Sequence, residues 1–228
     1  SAQAYNYFAT RVAECIVGNN PDIAEALKTM KMRSPLHDNA DLKIISLDNT
    51  IWHRSADNET EVMNTLCKLT DNATIDYRKK KATTSLYELQ NNDGGFAWFK
   101  GCESSLWTTI DVLHTLGYIN EMGYAEKSNS MVNDMVMKAI NYCDEYFVTE
   151  YLNHPKYRPS LIAKAEGYVR IRAMHQAPKM NKTMKEIADT ATLNMIDRRQ
   201  QCSPVEKADI ASYLATIGKT KEAELFVE

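Results

Sequence analysis

The chain has 228 residues, a mass of 25.9 kDa, a formal net charge of −3 and an isoelectric point near 6.0. With 44% hydrophobic and 25% charged residues it has the make-up of a folded domain and not of a disordered segment. The balance lacks the basic excess of a nucleic-acid binder, and no stretch approaches the roughly 20 apolar residues of a membrane-spanning helix. Neither a nucleic-acid partner nor membrane insertion is therefore expected. Only 8 Gly and 6 Pro are present, fewer than the many short turns of an all-β sandwich would use, so long helices are expected.

In chain order, Ser1-Ala2-Gln3-Ala4-Tyr5 opens in a helical pattern without the basic and apolar regions of a leader, and residues 221–228 also close in one. Both ends read as cut from something longer. Residues 3–18 place Tyr5, Phe8, Val12, Cys15 and Ile16 on one stripe, and Gly18-Asn19-Asn20-Pro21 stops the helix. A short helix follows from Asp22, with Ile23, Ala26, Leu27 and Met30 inward. Residues 33–58 are the least regular, with Pro35, an apolar patch at Leu42, Ile44, Ile45 and Leu47, and a Trp52-His53 pair. Asn58-Glu59-Thr60 opens a helix carrying Val62, Met63, Leu66, Cys67 and Leu69. Thr74 or Asp76 starts another, reaching Gln90, in which Arg78-Lys79-Lys80-Lys81 forms a solvated face.

Beyond the loop at residues 91–101 the pattern is cleaner. Ser104 or Ser105 caps a helix with Leu106, Ile110, Leu113 and Gly117 on one face, ending near Gly123. Residues 129–151 follow, with Val132, Val136, Ala139, Cys143 and Tyr146 as the inward series. Pro159 suits a first turn ahead of Leu161, Ile162, Ala165, Tyr168, Val169 and Arg172. Residues 183–198 carry Met184, Ile187, Ala188, Ala191 and Met195, and residues 203–217 carry Val205, Ala208, Ala211, Leu214 and Ala215. Ser203-Pro204-Val205-Glu206 is a capping box, and Gly218 a fitting stop. No segment shows a clear period of two. The expected fold is all-α: one helical domain over residues 1–228, built of hairpins stacked in sequence, with a stacked-pair solenoid and a closed ring of inner and outer helices both fitting the pattern.

The five cysteines, Cys15, Cys67, Cys102, Cys143 and Cys202, are odd in number and scattered without metal-type spacing, so they read as small buried hydrophobes and not as a disulfide framework or zinc site. Most of the 11 methionines fall on apolar stripes and read as gap-filling core.

One segment is more specific than periodicity. In Leu89-Gln90-Asn91-Asn92-Asp93-Gly94-Gly95-Phe96-Ala97-Trp98-Phe99-Lys100-Gly101, the Asp-Gly-Gly step makes a tight turn and the aromatics after it can fold back on the helix ends. Gln90, Asp93, Gly94, Gly95, Phe96 and Trp98 are the candidate residues of this structural or binding loop. Such a loop resembles the turn of α/α-toroid proteins, among them terpene cyclases, the protein prenyltransferase β-chain and the thioester-containing domain of the alpha-2-macroglobulin and complement family. Tyr7-Phe8-Ala9-Thr10, Asn20-Pro21-Asp22-Ile23, Asn49-Thr50-Ile51-Trp52, Asn58-Glu59-Thr60-Glu61 and the loop occur here in one order. That order resembles the toroid domain of the alpha-2-macroglobulin-like envelope proteins of Gram-negative bacteria, particularly the Bacteroidetes kind. The resemblance runs from about Gln3 to the end and is densest between Trp52 and Tyr118. It implies an α/α toroid, truncated because the further helices and Trp/Tyr-rich segment of the family are missing.

The resemblance departs from the family in its chemistry. Thioester-bearing relatives use a Cys-x-Glu-Gln motif, whereas here Cys15 is followed by Ile16-Val17-Gly18, Cys102 by Glu103-Ser104-Ser105, and Gln3 is preceded by Ala2. The resemblance thus implies a non-catalytic, thioester-less toroid domain, without cofactor, of a periplasmic or envelope protein. Its partners would be the other domains of the parent and the proteases the parent entraps or blocks.

Sharper sites were weighed against this. Cys102 near a helix N-terminus lies too far along the axis from His114 to be activated by it. Asp111 and His114 share a face and read as a helix-surface hydrogen bond, and His154-Pro155 as a helix-end cation. A terpene cyclase needs an Asp-x-Asp-Asp cluster, which is lacking, and a prenyltransferase a zinc set of which only Cys143 and Asp144 are suggestive. A polysaccharide lyase would use the Tyr168, Arg170, Arg172 and His175 group. Phe96, Trp98, Phe99 and Trp107 read as plugs between helices. Asn72-Ala73-Thr74 and Asn181-Lys182-Thr183, like Asn58-Glu59-Thr60, read as helix caps as readily as glycosylation sequons. The rivals in function are a toroid enzyme of lyase or prenyl-transferring type and a helical-repeat protein-binding module.

Overall fold

A computed structural model describes residues 2–22, 25–26, 61, 71–124, 129–175 and 177–227. Ala26, expected inward on the helix after Asp22, is exposed; the other expectations for that helix, those for the helix after Asn58, the patch at residues 42–47, the Trp52-His53 pair and Cys67 lie outside the described residues. Eight α-helices are described: α1 Ala2–Asn19, α2 Asn72–Tyr87, α3 Leu106–Glu121, α4 Ser130–Asn153, α5 Arg158–Ala173, α6 Lys182–Asp197, α7 Pro204–Thr216 and α8 Thr220–Glu224. Short 3₁₀ turns, Pro155–Tyr157 and Arg199–Gln201, precede α5 and α7. Among the described residues there is no β-strand, only a single antiparallel bridge between Gln90 and Phe96. The fold is all-α.

The chain divides into two compact units, one of Ser1–Tyr5 with Thr83–Glu228 and one of Asn6–Ala82. In the second unit, α1 buries Tyr7, Thr10, Arg11 and Val17, while Ile16 is exposed and Phe8, Val12 and Cys15 are half-buried. The stripe read from the sequence is therefore rotated, and Tyr5, its first member, is also exposed. The reason is charge. Glu14 pairs with Arg11 and, at 2.9 Å, with Lys79 of α2, which places a half-buried ion cluster where an apolar stripe was expected. These two cations hold the Glu14 carboxyl below its usual range although burial pushes the other way. Of the basic run, Arg78, Lys80 and Lys81 are solvated as expected, and Lys79 is the exception. α2 is capped by Asp71, whose carboxylate accepts from the Thr74 N–H at 2.8 Å and hydroxyl at 2.6 Å, so Asn72 is not the cap.

In the larger unit α5 is the hub: α6 packs along it, and it also meets α3, α4 and α7. Its Leu161, Ile162, Ala165, Tyr168 and Val169 are buried and share one face of the helix, as the sequence pattern predicts. The caps follow the sequence. Ser105 accepts from Thr108 N–H, Asn129 from Val132 N–H and Asn181 from Met184 N–H, and Ser203 with Glu206 closes the capping box ahead of Pro204. The inward residues of α6 are those expected. In α4 the buried series runs through Met135 and Phe147, with Val136 half-buried and Tyr146 exposed. In α7 Ile210, Tyr213 and Leu214 are buried, whereas Val205, Ala208 and Ala215 are exposed. Tyr213 Oη and Thr192 Oγ1, 2.8 Å apart, tie α7 to α6 and draw that face inward. Met135, Met184 and Met195 are fully buried, while Met122 and Met131 are half exposed.

Candidate functional site

The loop at residues 88–105 leaves α2 through a tightening turn, with Leu89 N–H donating to Leu86 O and Gln90 N–H to Tyr87 O. A miniature hairpin follows, closed by Ala97 N–H to Leu89 O and Asn91 N–H to Gly95 O, each 2.9 Å. Asp93 forms the turn by accepting from Gly95 N–H at 3.0 Å and from the Ser104 hydroxyl at 2.7 Å. Asn91 Nδ2 donates to Cys102 O and Ser104 Oγ, both at 3.0 Å. Gln90 Nε2 donates to Gly94 O at 2.9 Å within the loop and to Met135 O at 2.8 Å in α4. Phe96 N–H donates to Thr109 Oγ1 at 2.8 Å, and Phe96 O accepts from Ser105 N–H, fastening the hairpin to the start of α3.

The two glycines are demanded by closeness to α4. Gly94 has φ +88°, and a Cβ there would stand 2.5 Å from Lys138 O. A Cβ on Gly95 would meet Ser104 Cβ at 2.6 Å and the Tyr142 ring at 2.9 Å. Burial raises the Tyr142 phenol above its ordinary range, with the Asp93 charge adding to it. The loop is thus a clasp joining the end of α2 to α3 and α4. The candidate residues Gln90, Asp93, Gly94, Gly95 and Phe96 come together in it, and their polar groups are consumed by the chain itself.

Phe96 is 1% exposed and plugs the space between helices. Trp98 and Phe99 do not, being 72% and 71% exposed, and Trp107 also lies outward. The expectation that all four act as plugs is corrected. After buried Ala97 the backbone bends, Cys102 N–H closes back on Phe99 O, and Gly101 takes φ +88°, lifting residues 98–99 off the helices. Asn91 and Thr109 are parts of the clasp that the sequence did not single out, and Ser104, read there as a possible helix cap, belongs to the clasp while Ser105 caps. Asn91 follows Gln90 inside the quoted motif, but nothing in the spacing marks a threonine on the next helix as the partner of Phe96.

The Tyr168, Arg170, Arg172 and His175 group separates onto three places. Arg172 holds Asp144 in a two-point fork, Nε to Oδ1 at 3.1 Å and Nη2 to Oδ2 at 3.0 Å, and also donates to Pro178 O at 2.7 Å. Tyr168 Oη donates to Asp144 Oδ1 at 2.6 Å, and burial keeps this phenol protonated far above its usual range. Neither group is available as a base or oxyanion holder. His175 is buried against α3, its Nε2 2.8 Å from Leu113 O and its Nδ1 3.2 Å from Asn120 Nδ2. Arg170 alone reaches the surface, 3.5 Å from Asp209.

The remaining candidates are also placed. The His114 ring lies against that of Tyr118, centroids 4.6 Å apart and planes tilted by 41°, while Asp111 accepts from Tyr5 Oη at 3.4 Å. His154 caps α4, 3.8 Å from Glu150. Cys143 and Cys202 are buried, as expected of small hydrophobes, whereas Cys15 is half-buried and Cys102 exposed. Burial pushes the Cys143 thiol far up, which makes it inert. Among the described residues no three His, Cys, Asp or Glu side chains are placed to hold a metal ion, and no helix is long and apolar enough to cross a membrane. Compared with protein-family models, with curated proteins and with solved structures, the chain gives no match.

Proposed function

We propose that this chain is a thioester-less α/α-toroid domain of an alpha-2-macroglobulin-like protein of the bacterial envelope, a non-catalytic module that packs against other domains of its parent in protease entrapment or interdomain scaffolding. The observation that carries the reading is the clasp: a Gln-x-x-Asp-Gly-Gly-Phe turn, at the segment most like that family, whose polar groups are spent on joining consecutive helices. Supporting it, Tyr168 and Arg172, which a lyase of this architecture would need free, are locked on Asp144. No Cys-x-Glu-Gln occurs in the sequence, so there is no acyl group for a thiolate to hold.

The test is incubation of the full chain with labelled methylamine followed by intact mass, with parallel thiol titration after unfolding. The expected result is no incorporation and five titratable thiols whether or not methylamine was added. Covalent label, or a thiol that appears only after methylamine, would refute the thioester-less assignment.

A further inference from the structure

A cleft of about 180 Å³ opens between α3, α5 and α7, away from the clasp. Its lining includes Gly167, in the middle of α5, and Arg170 one turn further on. A glycine inside a helix is less stable than alanine, and is kept where something must come close to the backbone. No neighbour explains Gly167, because a Cβ there would meet nothing within 4 Å. The space it leaves belongs to the cleft. Arg170 is only loosely held: Nη1 lies 3.5 Å from an Asp209 carboxylate that is itself 58% exposed, and Nε is buried with no acceptor among the described residues. The rest of the guanidinium, on a side chain 26% exposed at the cleft, is answered only by that 3.5 Å contact and has N–H groups left for an acceptor that the chain does not provide.

The charges around the cleft select the ligand. Arg170 faces a cleft that also carries the carboxylates of Asp209 on α7 and Glu121 on α3, and Glu121 has no ion pair among the described residues. A phosphate or other simple anion would meet two like charges, and a simple amine would meet the guanidinium. A molecule carrying both charges is answered at both ends. The adjacent, mutually tilted rings of His114 and Tyr118 supply one wall, and the volume admits only a small side chain.

We propose that this cleft binds a small free α-amino acid, its carboxylate on the Arg170 guanidinium and its ammonium against Glu121 and Asp209. Arg170 then exchanges its loose contact with Asp209 for a two-point fork, and Asp209 is released to the ammonium. This inference is independent of the toroid reading.

The test is calorimetric titration of the full chain with L-alanine and L-serine, with L-lactate and ethylamine as controls that each lack one charge. Both amino acids are expected to bind, and each control at least tenfold more weakly. Gly167→Leu, whose Cβ would meet nothing within 4 Å and whose longer side chain would occupy cleft volume, is expected to abolish binding with an unchanged circular dichroism spectrum. Arg170→Gln is expected to weaken it at least tenfold. Absence of binding by both amino acids, lactate or ethylamine binding as tightly as alanine, or binding that survives Gly167→Leu would each overturn the proposal.

Discussion

The clasp makes a claim that two alanine substitutions can separate. Gly94 and Gly101 share φ +88°, yet a Cβ on Gly94 would lie 2.5 Å from Lys138 O, whereas one on Gly101 would meet nothing within 4 Å. Both variants carry the cost of a left-handed residue with a side chain, about 1–2 kcal/mol. Only Gly94→Ala adds a clash with backbone, which no rotamer change relieves and which costs about 1–3 kcal/mol further. Gly94→Ala should therefore lose about 2–5 kcal/mol, a fall in Tm of roughly 4–20 °C for a chain of this length, and Gly101→Ala roughly 2–8 °C. Gly95→Ala carries no left-handed cost, but its Cβ would stand 2.6 Å from Ser104 Cβ, which the backbone holds in place, so a loss of about 1–3 kcal/mol is expected from the clash alone. Thermal melts followed by circular dichroism at 222 nm read the order directly. Equal losses in Gly94→Ala and Gly101→Ala would mean that the loop does not dock on α4, and the clasp would fall with it.

Two further predictions concern the buried polar groups of the larger unit. Leu113 O can only accept, so His175 donates from Nε2 and its Nδ1 accepts from Asn120, whose amide also donates to Met174 O at 3.0 Å. Burial lowers the basicity of this imidazole, so the unfolded chain binds the proton more readily than the folded one. Its contribution to stability is then complete above the unfolded value of about 6.5 and is lost as the pH falls below it. Denaturant unfolding at pH 7.5 and 5.0 should show that loss in the parent chain and a flatter profile in His175→Gln; identical profiles would exclude the assignment. Asp144→Ala strips the fork from Arg172, whose side chain is 6% exposed, and should lower stability by about 3–5 kcal/mol, while a loss under about 1 kcal/mol would show that the pair is not buried as described.

Much of the fold was legible because the strongest signals are local. Ser105, Asn129, Asn181 and the Ser203–Glu206 box mark helix starts through hydrogen bonds that span three residues, and α6 shows its inward face because its neighbours cover only one side. Where helices are contacted by polar groups from afar, the apolar pattern misleads. The Arg11, Glu14 and Lys79 cluster rotates the buried face of α1, and the partner that decides it lies 65 residues away from Glu14. Cys143 and Met135 could be read as core from hydrophobicity alone, but that Phe147 and not Tyr146 joins them depends on Tyr168, whose ring stacks on Phe147 at 5.2 Å.

The candidate site divides along the same line. Asp93-Gly94-Gly95 announces a turn, since only such residues take that backbone at low cost, and Phe96 beside it reads as a plug because it is large and apolar. Trp98 and Phe99 are equally apolar, and composition cannot separate them from Phe96. What separates them is the anchoring of one residue: the Phe96 amide on Thr109 and its carbonyl on Ser105 fix the hairpin against α3, and the chain beyond Ala97 then has to bend away to reach the Ser105 cap. A single backbone tether thus decides which aromatic is buried. Removing it with Thr109→Val, which keeps the side-chain shape, would leave the buried Phe96 N–H unanswered at a cost of about 1–3 kcal/mol, far more than such a swap costs on an exposed helix face.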